Sequence, residues 1–253
     1  MSCAGRVTDR VGTIDPKLLL LRFPGRPRRR WSPLGEPVAG ALPPSVPVVE
    51  LPFRAGRAEL DPVLAEHDPS RLLVSGSDAD LAAVLVRLLR TDRLHVEVAY
   101  LAARRTPATA AWGLPTGSAA AAAALDAPAS QVPLIRDDSG GVLVGRGEIR
   151  GLRGECYCDE TLVLRGAAPW LVVAPSPAGG LAVRAGRLGR RPHGRTRPVP
   201  AAAPSGRGSA VGRAVQVGCE PATVLLDGVA HPRPVRRWSW YRHTGDRLLV
   251  RTR

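Results

Sequence analysis

Two short turns carry the residues best suited to chemistry. Residues 74–81 read VSGSDADL and residues 112–120 read WGLPTGSAA. Each turn opens a helical pattern rich in alanine or leucine, and each follows a strand-like segment. Backbone amides at a helix start hold anions, and glycine there lets a phosphate approach without a Cβ in the way. The same residues also suit a cap. Ser77 as N-cap with Asp80 at the third helical position is an acidic variant of the capping box, and it complements the helix dipole. The local pattern alone favours the cap.

Other reactive side chains give weaker patterns. Cys156 and Cys158 lack the C-x-x-C spacing of structural zinc sites, and no His-x-His or H-E-x-x-H supplies further ligands, so no metal site is expected. On a strand the two thiols share a face and are expected to be buried as small apolar groups. The acidic pairs Asp137-Asp138 and Asp159-Glu160 stand beside turn residues and read as solvated hairpin loops. No serine sits in a G-x-S-x-G elbow, which leaves acyl transfer without a nucleophile. His67, His95, His193, His231 and His243 are scattered. Trp238 and Trp240 share one strand face, Tyr241 and His243 the other, and the tryptophans are expected to anchor a β core.

The elements that must position these residues fall into two sets. Leu18 to Phe23, Val46 to Leu51, Arg71 to Val74 and His95 to Leu101 read as strands. Residues 79–90 repeat apolar side chains at Leu81, Val84, Leu85 and Leu88, the spacing of one helix face, and residues 117–125 carry an alanine tract. Strand and helix alternation predicts an N-terminal three-layer α/β domain with a mostly parallel sheet over residues 1–126. The Arg/Pro stretch GRPRRRW, residues 25–31, reads as an exposed loop within it. From residue 127 to 253 the pattern becomes short strands punctuated by Gly, Pro, Asp and Ser, which predicts a C-terminal antiparallel β-sandwich. Residues 184–213 contain eight arginines and no acid and read as a long basic loop.

In this order of elements the two turns resemble the motifs of the superfamily of NAD kinases and diacylglycerol or sphingosine lipid kinases. Its members carry a strand ending in G-G-D-G-T, then a helix, then a strand leading to P-x-G-T-x-N at another helix start. Gly76-Ser77-Asp78-Ala79-Asp80 lies on the first motif and Pro115 to Ala120 on the second. Val224 to Gly228, VLLDG, is similar to the hairpin that the lipid kinases write as D-G-E, with Asp227 as its acid. The resemblance implies ATP and magnesium as cofactors, with Asp78 as the acid that positions or deprotonates the attacking hydroxyl and organises the metal. It implies nucleotide contacts from Gly76, Ser77, Ala79, Asp80, Gly117 and Ser118, and an accessory role for Asp227.

The departures fall on the phosphate cradle. Ser77 and Ala79 stand for two glycines, Asp80 for the threonine, Ala120 for the asparagine and Val229 for the glutamate after Asp227-Gly228. A carboxylate about 4 Å from a phosphate charge repels it by about 4 kcal/mol at an effective dielectric near 20. The implied function is a divergent diacylglycerol kinase-like protein with weak or absent phosphotransfer. The alternatives are an active ATP-dependent lipid kinase using Asp78, and a non-enzymatic basic module.

Charge bears on partners. The formal net charge is +14, and every basic residue except Lys17 is arginine. Abundant Ala, Gly and Pro accompany that bias, as a GC-rich genome dictates, so the charge is a poor guide to a polyanion. A nucleotide or lipid ligand and an acidic membrane surface are the expected partners, ahead of nucleic acid. With no signal-peptide pattern and no apolar run near the roughly 20 residues of a span, the expected location is cytoplasmic, including the membrane periphery.

Overall fold

Four consecutive leucines set the first strand and both of its faces. In the computed structural model, which describes residues 17–24, 42–186 and 208–250, Leu18–Arg22 forms β1. Alternation sends Leu19 and Leu21 into one core and Leu18 and Leu20 into another, so helices must cover both sides. Strands β2 (Val48–Glu50), β3 (Arg71–Ser75) and β4 (Glu97–Tyr100) join it in parallel, in the spatial order β2-β1-β3-β4.

Helix α1 (Arg57–His67) leads from β2 to β3, and α2 (Asp78–Arg90) leads from β3 to β4. They bury Leu60, Leu64, Leu81, Val84, Leu85 and Leu88 against the Leu19 and Leu21 face. A two-pronged contact of Arg87 with Asp61, at 2.7 Å on each prong, clamps the pair. After β4 comes a six-residue helix, α3 (Pro107–Trp112), and then α4 (Ser118–Asp126). The alanines of α4 cover the opposite face, on Leu18, Leu20, Leu73 and Leu101. These are the three layers that the alternation predicts.

The rest of the chain is β5 (Ala129–Asp137), β6 (Val142–Leu143), β7 (Gly147–Cys158), β8 (Thr161–Ser176), β9 (Gly180–Ala185), β10 (Ser209–Gly212), β11 (Ala214–Ala222), β12 (Val224–Leu226), β13 (Val229–Ala230) and β14 (Val235–Val250). Their pairings with one another are antiparallel. The sheet folds back on itself, with β9 packed on β5, β11 and β14 around Ile149, Leu171, Val183, Val215, Trp238 and Trp240. One strand joins the two halves. The start of β14 pairs with β11, and its end pairs with β5 and lies parallel to β4 at Leu249 and Val98.

Several local expectations are corrected. Not all of the strands after residue 127 are short: residues 161–176 form the single strand β8 and residues 235–250 the single strand β14, in which a register shift between Arg242 and Asp246 absorbs an interruption. The basic segment 184–213 is shorter than a loop of that span, since Arg184 and Ala185 end β9 and Ser209–Gly212 pairs with it as β10. Residues 187–207, like residues 25–31, lie outside the described residues. Asp137 is fully buried rather than solvated, because its Oδ1 accepts from the Ser139 amide, the Ser139 hydroxyl and the Gly141 amide. Asp159 does sit in a turn, accepting from the Arg213 and Ala214 amides. Cys156 and Cys158 are both buried, and burial pushes their thiols up to about 12 and about 11. No described helix is long and apolar enough to cross a membrane.

Candidate functional site

The turn after β3 sits at the carboxyl end of the parallel sheet. β2 lies on one side of β1 and β3 on the other, so successive connections diverge there and leave the crevice in which α/β proteins bind ligands. Ser77 is the N-cap of α2 in extended conformation, and Asp80 is the third helical residue. One oxygen of Asp80, Oδ2, accepts from the Ser77 amide at 2.8 Å and from the Ser77 hydroxyl at 2.6 Å. The other accepts from the Arg54 amide at 2.7 Å. Asp80 is 2% exposed.

This geometry revises how Asp80 acts. From sequence it is a charge that repels an anion; in the structure its carboxylate is held by the Ser77 amide, the Ser77 hydroxyl and the Arg54 amide. Gly76 confirms how tightly the group is seated. A Cβ there would stand 2.9 Å from Asp80 Oδ2 and 3.0 Å from the Cβ of Phe23. Ala79, the other replaced glycine, is buried.

Asp78 stands two residues before Asp80 in the same turn and is also enclosed. Its Oδ1 accepts from the Tyr100 hydroxyl at 2.9 Å, and its Oδ2 accepts from the Ala108 amide, in the first turn of α3, at 3.0 Å. Burial, then the neighbouring Asp78 charge, pushes the Tyr100 phenol well above its ordinary value, so it remains a donor at neutral pH. The Tyr100 oxygen is also 3.2 Å from the Gly76 carbonyl.

Gly145 connects this acid to Asp227. A Cβ on Gly145 would meet the Ala108 amide nitrogen at 2.6 Å and Asp78 Oδ2 at 2.9 Å. Its own amide donates to Asp227 Oδ1 at 2.8 Å, as does that of Arg146 at 2.8 Å, while the Val144 amide donates to Oδ2 at 3.0 Å. Asp227 holds the left-handed position of the β12-β13 turn, with φ 48°. The residue is half-buried through that turn, but its carboxylate is ringed by amides. Burial pushes this carboxyl up to about 7; the amide bonds oppose the shift and the Asp78 charge adds to it.

The structure therefore brings Gly76, Ser77, Asp78, Ala79, Asp80 and Asp227 into one neighbourhood. Gly117 and Ser118 open α4 at the carboxyl edge of the neighbouring strand β4. The Gly117 amide donates to the Ala102 carbonyl at 2.9 Å, so that turn shares the sheet edge, but the helix it opens covers the opposite face and Ser118 is exposed. The helix that opens directly after β4 is α3, capped by Thr106 accepting from the Thr109 amide at 3.1 Å. Tyr100, Arg54, Ala108 and Gly145 are the members that sequence reading missed. Only the V-G-R-G run at 144–147 offered a signal.

Asp80 engages the Ser77 and Arg54 donors, each Asp78 oxygen accepts one hydrogen bond, and among the described residues no group of three or more His, Cys, Asp or Glu stands together.

No protein-family model matches the sequence, and no curated protein matches it. Solved structures do match. A diacylglycerol kinase from Bacillus anthracis str. Sterne superposes with a TM-score of 0.60 at 12% identity, covering 94% of this chain and 97% of that one. The fold is that of the diacylglycerol kinases and NAD kinases. An NAD kinase from Archaeoglobus fulgidus, solved in complex with ATP, superposes with a TM-score of 0.54 at 11% identity, covering 92% and 93%. Both similarities cover nearly the whole chain, the α/β layers and the β-rich half together.

Proposed function

We propose that this chain is a divergent diacylglycerol kinase-like protein in which the phosphate cradle is filled by its own Asp80 and phosphotransfer is weak or absent. The observation that carries the reading is the seating of the Asp80 carboxylate on the Ser77 amide, the Ser77 hydroxyl and the Arg54 amide. Phosphoryl transfer depends on positioning and on neutralising charge at the transferring group. A cradle already neutralised by a side chain offers neither. Asp78 supports the reading, because its oxygens are engaged by Tyr100 and by Ala108 of α3 rather than directed at a bound hydroxyl. On this reading residues 1–126 serve as a nucleotide-binding-like domain, residues 127–253 as the β domain, and Asp227 as a brace for residues 144–146.

The test is calorimetric titration of the whole chain with ATP and magnesium, alongside a turnover assay with diacylglycerol. The expected result is no micromolar binding and no turnover. Micromolar binding with turnover that disappears in Asp78→Ala establishes the active kinase instead.

A further inference from the structure

Arg247 is a permanent charge inside an apolar core. It is 2% exposed, lies across from Val132 of β5, and points to the same face as Leu249, which belongs to the core under α2 and α3. Its Nη1 has no hydrogen-bond partner, and among the described residues no carboxylate pairs with it. The adjacent acid, Asp246, is engaged by Arg242 at 3.2 Å. The contact it does make is with the Trp112 ring, whose centroid lies 5.3 Å from Cζ.

A ring face returns less than burial of a charge takes away, so the cation is left under-compensated. Nor can it escape by deprotonation. Burial lowers it to about 10, which leaves only about one molecule in a thousand neutral at pH 7. Among the described residues no acid supplies the counter-charge.

We propose that Arg247 anchors a small-oxyanion site roofed by Trp112. The indole lies against the guanidinium, and the unpartnered Nη1 is left to donate to an oxygen of a carboxylate or a phosphate. The roof is a small element, the six residues of α3 between the Thr106 cap and Gly113, which takes a left-handed φ of 64°. The Ala108 amide to Asp78 at 3.0 Å and the Trp112 Nε1 to the Val144 carbonyl at 3.1 Å hold it down. This site is separate from the Asp80 cradle and stands whether or not that cradle is closed.

Thermal unfolding of the full chain in sodium phosphate, sodium acetate and sodium chloride, at matched ionic strength, tests it. Phosphate or acetate should stabilise the wild type saturably, raising the folding constant about a hundredfold when the ion exceeds its Kd by a hundredfold. The more effective of the two identifies the oxyanion class, and chloride, which cannot span the fork, should do less. Arg247→Met should abolish the response. Arg247→Lys keeps a charge without the fork, so its response should move to higher concentration, and it carries the test if the methionine variant does not fold. The proposal is overturned if neither oxyanion stabilises the wild type beyond chloride, or if the variants respond as the wild type does.

Discussion

Replacing Asp80 by alanine should have two opposite consequences, and their combination is diagnostic. The substitution removes an acceptor shared by the Ser77 amide at 2.8 Å, the Ser77 hydroxyl at 2.6 Å and the Arg54 amide at 2.7 Å. Hydrogen bonds to a charged group contribute about 1.5–3 kcal/mol each, but Ser77 is a flexible donor and water can reach a turn at the sheet edge. Loss of a capping interaction alone is worth about 0.5–2 kcal/mol. The expected destabilisation is therefore about 2–4 kcal/mol, and at about 2–4 °C per kcal/mol for a chain of this size Tm should fall by roughly 4–16 °C. The vacated donors should then take an external anion. Inorganic phosphate at about ten times its Kd should return about 1.4 kcal/mol. Scanning fluorimetry measures both effects, with the phosphate gain of Asp80→Ala read as the excess over the wild-type response. An Asp80→Ala protein as stable as the wild type, or one with no excess phosphate response, refutes the reasoning.

Two further predictions concern the junction around Gly145. Asp227 carries a carboxyl at about 7 in the folded chain against 3.8 for an ordinary aspartate, so folding takes up a proton between those values. The stability this contributes is complete below about 3.8 and is lost as the pH rises through about 7, with a ceiling of about 4 kcal/mol. Melting curves at constant ionic strength should thus show higher stability at pH 5 than at pH 8, and Asp227→Asn should flatten that slope; an unchanged slope in the variant rejects the assignment. Gly145→Ala inserts a Cβ 2.6 Å from the Ala108 amide nitrogen and 2.9 Å from Asp78, so backbone must shift at a cost of about 1–3 kcal/mol. Hydrogen exchange should quicken at residues 106–112 and 144–146, and unaltered exchange with unaltered Tm counts against the packing described.

Much of the architecture was legible because it rests on periodicity. Leu18 to Leu21, the 81–84–85–88 face and the alanine tract could be assigned to buried strand and helices without coordinates, and the superposed lipid-kinase fold agrees with the layers they imply. Helix α1 was not legible, because Pro62 interrupts it and its apolar residues, Leu60 and Leu64, are few. Helix α3, six residues long, was too short to show a period, whereas the alanine-rich helix after Gly117 was read where it forms. At the site, the capping pattern of Ser77 and Asp80 could be read locally. What the carboxylate reaches could not, since Arg54 lies 26 residues away in sequence and meets it only through the fold. The same holds for Gly145, whose need to be glycine arises from Ala108 and Asp78.

The long strand β14 has a consequence for how the molecule assembles. Val98 of β4 finds its partner at Leu249, about 150 positions later, while the opposite end of the same strand completes the β-rich half through Trp238 and Val217. Loop-closure entropy delays such distant pairings, so folding should be slow and the final edge of the parallel sheet should form late. Because one continuous backbone is shared by the two halves, neither can melt without unzipping a ladder of the other, and heat should unfold them in a single step.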